Sequence, residues 1–343
     1  MLMQLAVAAL ALAEQLDSTS AASPQPRIEI DSAQREIVVT VGPLAIPART
    51  AYSHHTPEFR LQFAWPVEGW VRGYRIELID SSGNVLPREL LHHAGVANLD
   101  RRQLAYQKVE RLFAIGRETA PVLLPASMGV PLGGGQRLAL YFAMVNPKDS
   151  VIYGVSLRLS LAWTPRGAVR PRDVFVLFLD AKPGAGVSSA FDVPPGRSTT
   201  TAEFTLPISG RVRTLGGHLH DYAVEMRVED VESGRILARL RARNDAEGRI
   251  RGVSRSRFLL TRGGLRLHAN RTYRVVAVYD NPTGVTIPSG GMALLAGPFA
   301  PDDARLWPAI DATNPDYRRD LASIVGVDAH RGHDDHATYR FAP

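Results

Sequence analysis

The sequence predicts an all-β chain of the β-sandwich type, and three observations carry the prediction. Short runs in which apolar and polar residues alternate follow one another from Arg27 onward, and alternation with a period of two is typical of strands with one buried face. Turn formers such as Ser82-Gly83-Asn84 and Pro194-Pro195-Gly196 separate these runs. The chain also contains 29 glycines and 24 prolines, which favours many turns over long helices.

Each predicted strand is short and rich in Val, Ile, Leu, Phe or Tyr. In chain order the predicted strands are Arg27–Ile30, Glu36–Val41, Arg60–Ala64, Gly73–Ile79, Leu138–Met144, Val155–Ala162, Val174–Leu179, Thr201–Leu206, Ala223–Val228, Ile236–Ala242 and Tyr273–Tyr279. Beyond the leader, the single run with a helical period is Asp316–Val325.

The length of 343 residues, 45% of them hydrophobic, fits two domains with substantial cores. A Pro/Arg-rich stretch without apolar periodicity, Thr164–Asp173, predicts the boundary between an N-terminal domain at 27–165 and a C-terminal domain at 172–310. Residues 311–343 are predicted to be a polar tail that contains histidines.

The apolar segment at residues 1–13 ends in Ala11-Leu12-Ala13, which favours a signal peptide followed by a flexible leader up to residue 26. The alternative is an ordinary buried helix, because the segment lacks a positively charged start. A signal peptide implies a secreted or periplasmic protein, with no membrane insertion once the leader is removed.

The net charge is +6, but the basic residues are scattered, so we expect no nucleic-acid partner. The chain has no cysteine, which excludes disulfides and thiolate metal sites. Any metal would therefore be held by His, Met, Asp or Glu.

The most specific candidate site is His218-Leu219-His220. Residues two apart on a strand share a face, so both imidazoles could reach one metal while Leu219 points into the core. Met292, which follows Gly290-Gly291, could add a thioether, and two imidazoles with one thioether suit copper. The alternatives are two surface or hydrogen-bonded histidines and a methionine that only fills the core.

A second candidate is His92-His93. Adjacent strand residues point to opposite faces, so both could bind one ion only at a bulge or an irregular strand end. The other histidine clusters are His54-His55, which we leave unassigned, and the tail group His330, His333 and His336, which is typical of a solvated terminus but could also bind metal loosely.

The order of these elements resembles that of the copper type II, ascorbate-dependent monooxygenases, the peptidylglycine and dopamine hydroxylases. The resemblance covers most of residues 45–300 at low identity. It rests on His92-His93, Thr119-Ala120-Pro121, Leu124-Pro125, Gly129-Val130, the strand Leu138–Val145, Phe191-Asp192-Val193-Pro194-Pro195-Gly196, His218-Leu219-His220 and Met292.

This resemblance implies two tandem jelly-roll β-sandwich domains that face each other across a cleft. It also implies a main copper site at His218, His220 and Met292, where dioxygen would be activated and a C–H bond hydroxylated with ascorbate or another reductant. His92 and His93 would be two ligands of an electron-transfer copper.

Three departures weaken the implied function. The third histidine of the electron-transfer site aligns with Val145, a family glutamine aligns with Ala143, and the arginine that binds a peptide carboxylate aligns with Gly216. The first site is therefore incomplete unless Met144, His54, His55 or the tail completes it. Three functions stay open: a copper-dependent monooxygenase acting on a small molecule, a non-catalytic copper-binding or copper-handling protein, and a β-sandwich binding module without metal.

Overall fold

A computed structural model of the protein describes residues 25–50, 58–167, 170–184, 189–258 and 263–326. The predicted all-β class is confirmed, because strands make up most of the described residues. The predicted signal peptide, His54-His55 and the tail histidines lie outside the described residues. No helix among the described residues is long and apolar enough to cross a membrane.

The strands of the N-terminal half are β1 (Arg27–Asp31), β2 (Glu36–Ile46), β3 (Glu58–Ala64), β4 (Gly69–Ile79), β5 (Leu91–Arg102), β6 (Val109–Gly116), β7 (Val122–Leu123), β8 (Met128–Leu132), β9 (Arg137–Met144), β10 (Ile152–Pro165) and β11 (Arg172–Asp173). They form a seven-stranded sheet in the order β1-β2-β10-β4-β8-β11, with β7 on β4, and a four-stranded sheet in the order β3-β9-β5-β6.

The strands of the C-terminal half are β12 (Phe175–Asp180), β13 (Phe191–Val193), β14 (Gly196–Thr205), β15 (Gly210–Val212), β16 (Thr214–Leu219), β17 (Ala223–Asp230), β18 (Ile236–Asn244), β19 (Ile250–Val253), β20 (Ser256–Arg257), β21 (Leu265–Leu267), β22 (Thr272–Asn281), β23 (Ile287–Gly291) and β24 (Ala293–Pro301). They form a six-stranded sheet in the order β20-β16-β24-β15-β21, with β12 on β24, a five-stranded sheet in the order β14-β22-β17-β18-β19, and the pair β13-β23.

Strands in which apolar and polar residues alternate in the sequence also alternate between buried and partly exposed residues in the structure. In β2, Ile37, Val39 and Val41 are fully buried while the residues between them are only partly covered. This is the expected result where one face of a sheet packs on a core. All the predicted strands lie in or overlap observed strands, with ends that differ by a few residues.

Each half has its own hydrophobic core. The first core lies between the seven-stranded and four-stranded sheets and is built from residues between Ile37 and Trp163. The second core lies between the six-stranded and five-stranded sheets and extends from Leu177 to Phe299, with Leu104 added from the N-terminal half. A smaller apolar cluster around Ala300 and Val130 joins the halves. The predicted division at Thr164–Asp173 stays a prediction.

One α-helix, α1 (Pro315–Val325), follows the last strand and packs back on the four-stranded sheet. It begins at Asn314, whose side chain accepts hydrogen bonds from the backbone of Asp316 and Tyr317, and it ends at Gly326 in the left-handed conformation. These are ordinary start and stop signals of a helix. The helix confirms the single helical period that the sequence contains.

The helix is fastened by a buried ion pair. Asp320 accepts two hydrogen bonds from the Arg111 guanidinium, at 2.8 and 2.9 Å, and one from the backbone N–H of Val109 at 2.9 Å. Burial lowers the pKa of Arg111, but the attraction and hydrogen bonds of the Asp320 carboxylate raise it by more, so the pKa of Arg111 is raised overall. Helix α1 is thereby tied to β6 in the first half.

Candidate functional site

A cavity of about 690 Å³ lies where the two halves meet. Strands β4 and β6 and the segment between β6 and β8 supply its walls from the N-terminal half, and β12, β16, β18, β19 and β24 supply them from the C-terminal half. Apolar groups predominate in these walls, among them Tyr74, Phe113, Val176, Phe178 and Leu294. The volume lies in the range that small-molecule sites occupy.

The one acidic residue in the cavity wall, among the described residues, is Glu118, which follows β6. Its carboxylate oxygen Oε1 lies 2.6 Å from Nδ1 of His218, and Thr119 Oγ1 donates to the same oxygen at 3.2 Å. Burial opposes ionisation of Glu118, but the interactions with His218 outweigh it and lower the pKa of the carboxyl. Glu118 and His218 form a charge-assisted pair across the two halves.

Gly116 makes room for this pair. A Cβ atom at Gly116 would press against Oε2 of Glu118 and would lie 2.7 Å from Nδ1 of His218. A side chain at this position would therefore displace one of the two partners.

A second glutamate–histidine pair lies in the four-stranded sheet, at the register position of Gly116. Glu58, Ala143, His93 and Gly116 are opposite one another across β3, β9, β5 and β6, so their side chains share one face. Nε2 of His93 lies 2.6 Å from Oε1 of Glu58. Burial opposes ionisation of Glu58, but His93 and then Arg60 and Arg111 outweigh it and lower the pKa of Glu58.

The structure brings His92 and His93 together. Their ring centroids are 4.8 Å apart, and the pairing of β5 with β9 shifts register between Leu91 and His93. This is the irregular strand end that the sequence reasoning required for two adjacent histidines to lie close together. Val145, at the expected position of a third histidine, is buried.

His218 and His220 also lie together, with ring centroids 5.0 Å apart and planes nearly perpendicular. Leu219 is fully buried between them, as the strand period predicted. Nδ1 of His220 lies 3.3 Å from the carbonyl oxygen of Gly290, which places the His220 ring beside the strand that precedes Met292.

The buried hydroxyl of Tyr279 fixes the backbone around these residues. It accepts hydrogen bonds from the backbone N–H of His220 at 3.2 Å and of Met292 at 3.1 Å, and it donates to the carbonyl of Met292 at 2.6 Å. Burial raises the pKa of Tyr279, so the hydroxyl stays protonated and can donate.

Five arginines of the described part of the chain line the cavity: Arg72, Arg213, Arg243, Arg255 and Arg257. Arg255 crosses between the halves, because its guanidinium donates to the carbonyl oxygens of Ala120 at 2.7 Å and Pro121 at 3.3 Å. The cavity therefore combines apolar walls with these arginines, which we call the rim arginines, and with the buried carboxylate of Glu118, which is paired with the imidazole of His218. This arrangement can bind an apolar body and orient a polar group beside it.

No family model matches the chain, and no curated protein matches it. Among solved structures it is similar to a recombinant peptide:N-glycanase F, at 10% identity over 77% of this chain and 95% of that chain, with a TM-score of 0.38. It is similar to the glycosylasparaginase PNGase F from Flavobacterium meningosepticum, at 10% identity over 76% and 95% with a TM-score of 0.37. It is also similar to PNGF-II, at 13% identity over 81% and 62% with a TM-score of 0.34. Likenesses at these TM-scores carry no argument about the substrate of this chain.

The expected membership of the copper monooxygenase family is wrong, and so is the function that followed from it. The matches just described are to N-glycanases, and no group of three or more His, Cys, Asp or Glu in the described part of the chain is arranged to hold a metal ion. At both histidine pairs the structure shows one imidazole bonded to a buried glutamate. Copper as a cofactor, and the ligand roles of His92, His93, His218, His220 and Met292, stay untested predictions.

Sequence reasoning missed Glu58, Glu118 and the arginines of the rim. Glu118 follows a strand in an ordinary turn, and its partner is 100 residues away, so no local pattern marks it. Asp221, which follows His220, accepts hydrogen bonds from Arg117 and from the backbone N–H of Ile250, both at 2.8 Å.

Proposed function

We propose that the protein binds a small organic molecule with an apolar body in the cavity between its two halves. The observation that carries the proposal is the cavity itself, about 690 Å³ in volume and walled mainly by aromatic and aliphatic side chains. A concave apolar site with a few convergent polar groups is the usual form of a small-molecule site.

The wall chemistry supports this proposal. The rings of Tyr74 and Phe113 are stacked with centroids 4.2 Å apart, so an aromatic surface borders the cavity on the N-terminal side. Val176, Phe178 and Leu294 supply aliphatic and aromatic surface on the C-terminal side. An apolar ligand between these walls would lose contact with water on both of its faces.

The proposal includes the finer architecture that the sequence suggested. Two tandem jelly-roll sandwiches that face each other would place such a cavity at their junction, where ligand sites between domains are common. The two separate hydrophobic cores support this arrangement.

The test is calorimetric binding of 2-naphthol, a neutral aromatic probe, to the full chain and to a plugged variant. Gly216 lines the cavity, and a Cβ there meets only the Arg255 side chain, at 3.8 Å, so Gly216→Phe is chosen to place a ring in the cavity. We expect a Kd below about 1 mM for the unmodified protein and at least tenfold weaker binding for Gly216→Phe, roughly 1.4 kcal/mol.

The matched control is Gly133→Phe, at an equally open glycine outside the cavity wall. It should bind 2-naphthol as the unmodified protein does. An unmodified protein that binds no probe, or a Gly216→Phe variant that binds as tightly as Gly133→Phe, would contradict the proposal.

A further inference from the structure

We infer that the ligand of this cavity is an organic anion, whose apolar body lies between the walls and whose acidic head group is held by Arg213, Arg243 and Arg257. The inference rests on the proposed function, because it assigns a ligand class to the same cavity. A sulfonate, a phosphate and a carboxylate share the required chemistry, since each offers oxygen acceptors to guanidinium groups.

Arg213 carries the first step of the argument. Its Nε–H is buried without a hydrogen-bond acceptor among the described residues, although buried N–H groups are nearly always paired. Burial, and then the charges of Arg172 and Arg211, lower the pKa of Arg213. A cation held close to other cations with an unused donor is stabilised by an anion in the adjoining space.

Arg243 and Arg257 extend the same surface. Both side chains are exposed, and neither forms an ion pair or hydrogen bond within the described ranges, so both are available to a ligand in the cavity. Arg243 lies across Gly252, since a Cβ at Gly252 would be 2.6 Å from one of its terminal nitrogens. Gly252 and Arg243 both line the cavity, so the absence of a side chain at Gly252 lets the guanidinium lie against the cavity wall.

The remaining charged groups do not compensate these arginines. Glu118 is the one carboxylate in the wall among the residues that the structure describes, and it is engaged by His218. Arg255 is held by carbonyl oxygens, and Nε of Arg72 is a second buried donor without an acceptor in the cavity wall. These arginines therefore have no carboxylate partner among the described residues, and an anionic ligand in the cavity would supply one.

The experiment compares three probes that share a naphthalene body, 2-naphthalenesulfonate, 2-naphthol and 2-naphthylmethylammonium, by calorimetry with the full chain at about pH 7, where they are anionic, neutral and cationic. We expect the sulfonate to bind at least tenfold more tightly than 2-naphthol, and the ammonium to bind more weakly than both. Sodium chloride should weaken binding of the sulfonate while leaving 2-naphthol nearly unchanged.

Substitution identifies the residues responsible. Arg213→Gln should weaken the sulfonate about fivefold to tenfold and change 2-naphthol by less than about twofold, because it removes charge from the rim and leaves the apolar walls intact. Arg257→Gln should act in the same direction. The matched control is Arg197→Gln, on the exposed surface of β14 and away from the cavity, which should change neither probe.

The outcomes separate the two proposals. If 2-naphthol binds as tightly as the sulfonate, or if Arg213→Gln weakens the sulfonate no more than Arg197→Gln does, the anionic ligand class is overturned while the cavity keeps its binding role. If the sulfonate and 2-naphthol both fail to bind, the proposed function itself fails.

Discussion

The attachment of α1 to the N-terminal half predicts an unusually costly substitution on a short helix. Asp320→Ala removes three hydrogen-bond acceptor contacts at once and leaves the Arg111 guanidinium and the Val109 N–H without them. The two charged side chains are 13% and 4% exposed, so solvent replaces little of what is lost. Breaking a buried pair by deleting one partner costs about 3–5 kcal/mol, and we expect a loss of unfolding free energy in this range.

Urea unfolding followed by tryptophan fluorescence measures this loss, and the same helix supplies the control. Asp316 pairs with Arg319 at 2.6 Å, but both side chains are more than half exposed, so Asp316→Ala should cost at most about 1 kcal/mol. The double variant Arg111→Met with Asp320→Leu should recover most of the loss, since neither member of the pair is then left as an unpaired buried charge. Equal costs for Asp320→Ala and Asp316→Ala would refute the reasoning.

Three further predictions concern single buried groups. Gly116→Ala should displace Glu118 or His218 and lower the free energy of unfolding in urea by about 1–3 kcal/mol. Gly133→Ala, where the atom nearest to the added Cβ is 3.9 Å away, should be nearly neutral. An equally neutral Gly116→Ala would show that the space beside Gly116 is not crowded. Tyr279→Phe should lower the free energy of unfolding by about 1–3 kcal/mol, because three backbone groups lose their hydrogen-bond partner. Tyr153→Phe, at an exposed tyrosine, should change it by almost nothing, and equal thermal midpoints of the two variants would contradict the prediction. Burial raises the pKa of Asp180 from 3.8 to about 6, so between these pH values the folded state binds a proton that the unfolded state has released. The free energy of unfolding should therefore fall by about 3 kcal/mol as pH rises through this range. Asp180→Asn should lack this fall, and the same pH dependence of the unfolding free energy in both proteins would exclude the assignment.

The fold class and the strands could be predicted from the sequence because their cause is local. A residue such as Val39 faces the core because its neighbours on either side alternate with it, and that information lies within a few positions. The single helix was visible for the same reason, with Asn314 and Gly326 at its ends.

The candidate site could be predicted only in part. The sequence correctly indicated that His218 and His220 share a side of their strand and that a bulge is needed for His92 and His93 to lie close together. It gave no sign that Glu118 meets His218, because such contacts arise from the packing of one half on the other. The sequence interpretation therefore treated the clustered imidazoles without their buried carboxylate neighbours, and their role as copper ligands stays a prediction.

The rim arginines were invisible for a related reason. Arg243 and Arg257 lie on β18 and β20, and Arg213 lies between β15 and β16, so the sequence shows these residues only as scattered basic positions. Whether such an arginine can bind a ligand depends on which carboxylates lie near it in the folded protein, and the sequence alone does not show these neighbours.

The ion pair between Arg111 and Asp320 joins residues 209 positions apart, and this has a consequence during synthesis. The N-terminal half of a nascent chain leaves the ribosome before Asp320, the counter-ion of Arg111, has been translated. Domains generally begin to fold in the order in which they are made, so the first half completes its charge balance last. Shortened chains that stop before residue 315 should therefore accumulate in inclusion bodies, even though every strand of both sheet pairs is present.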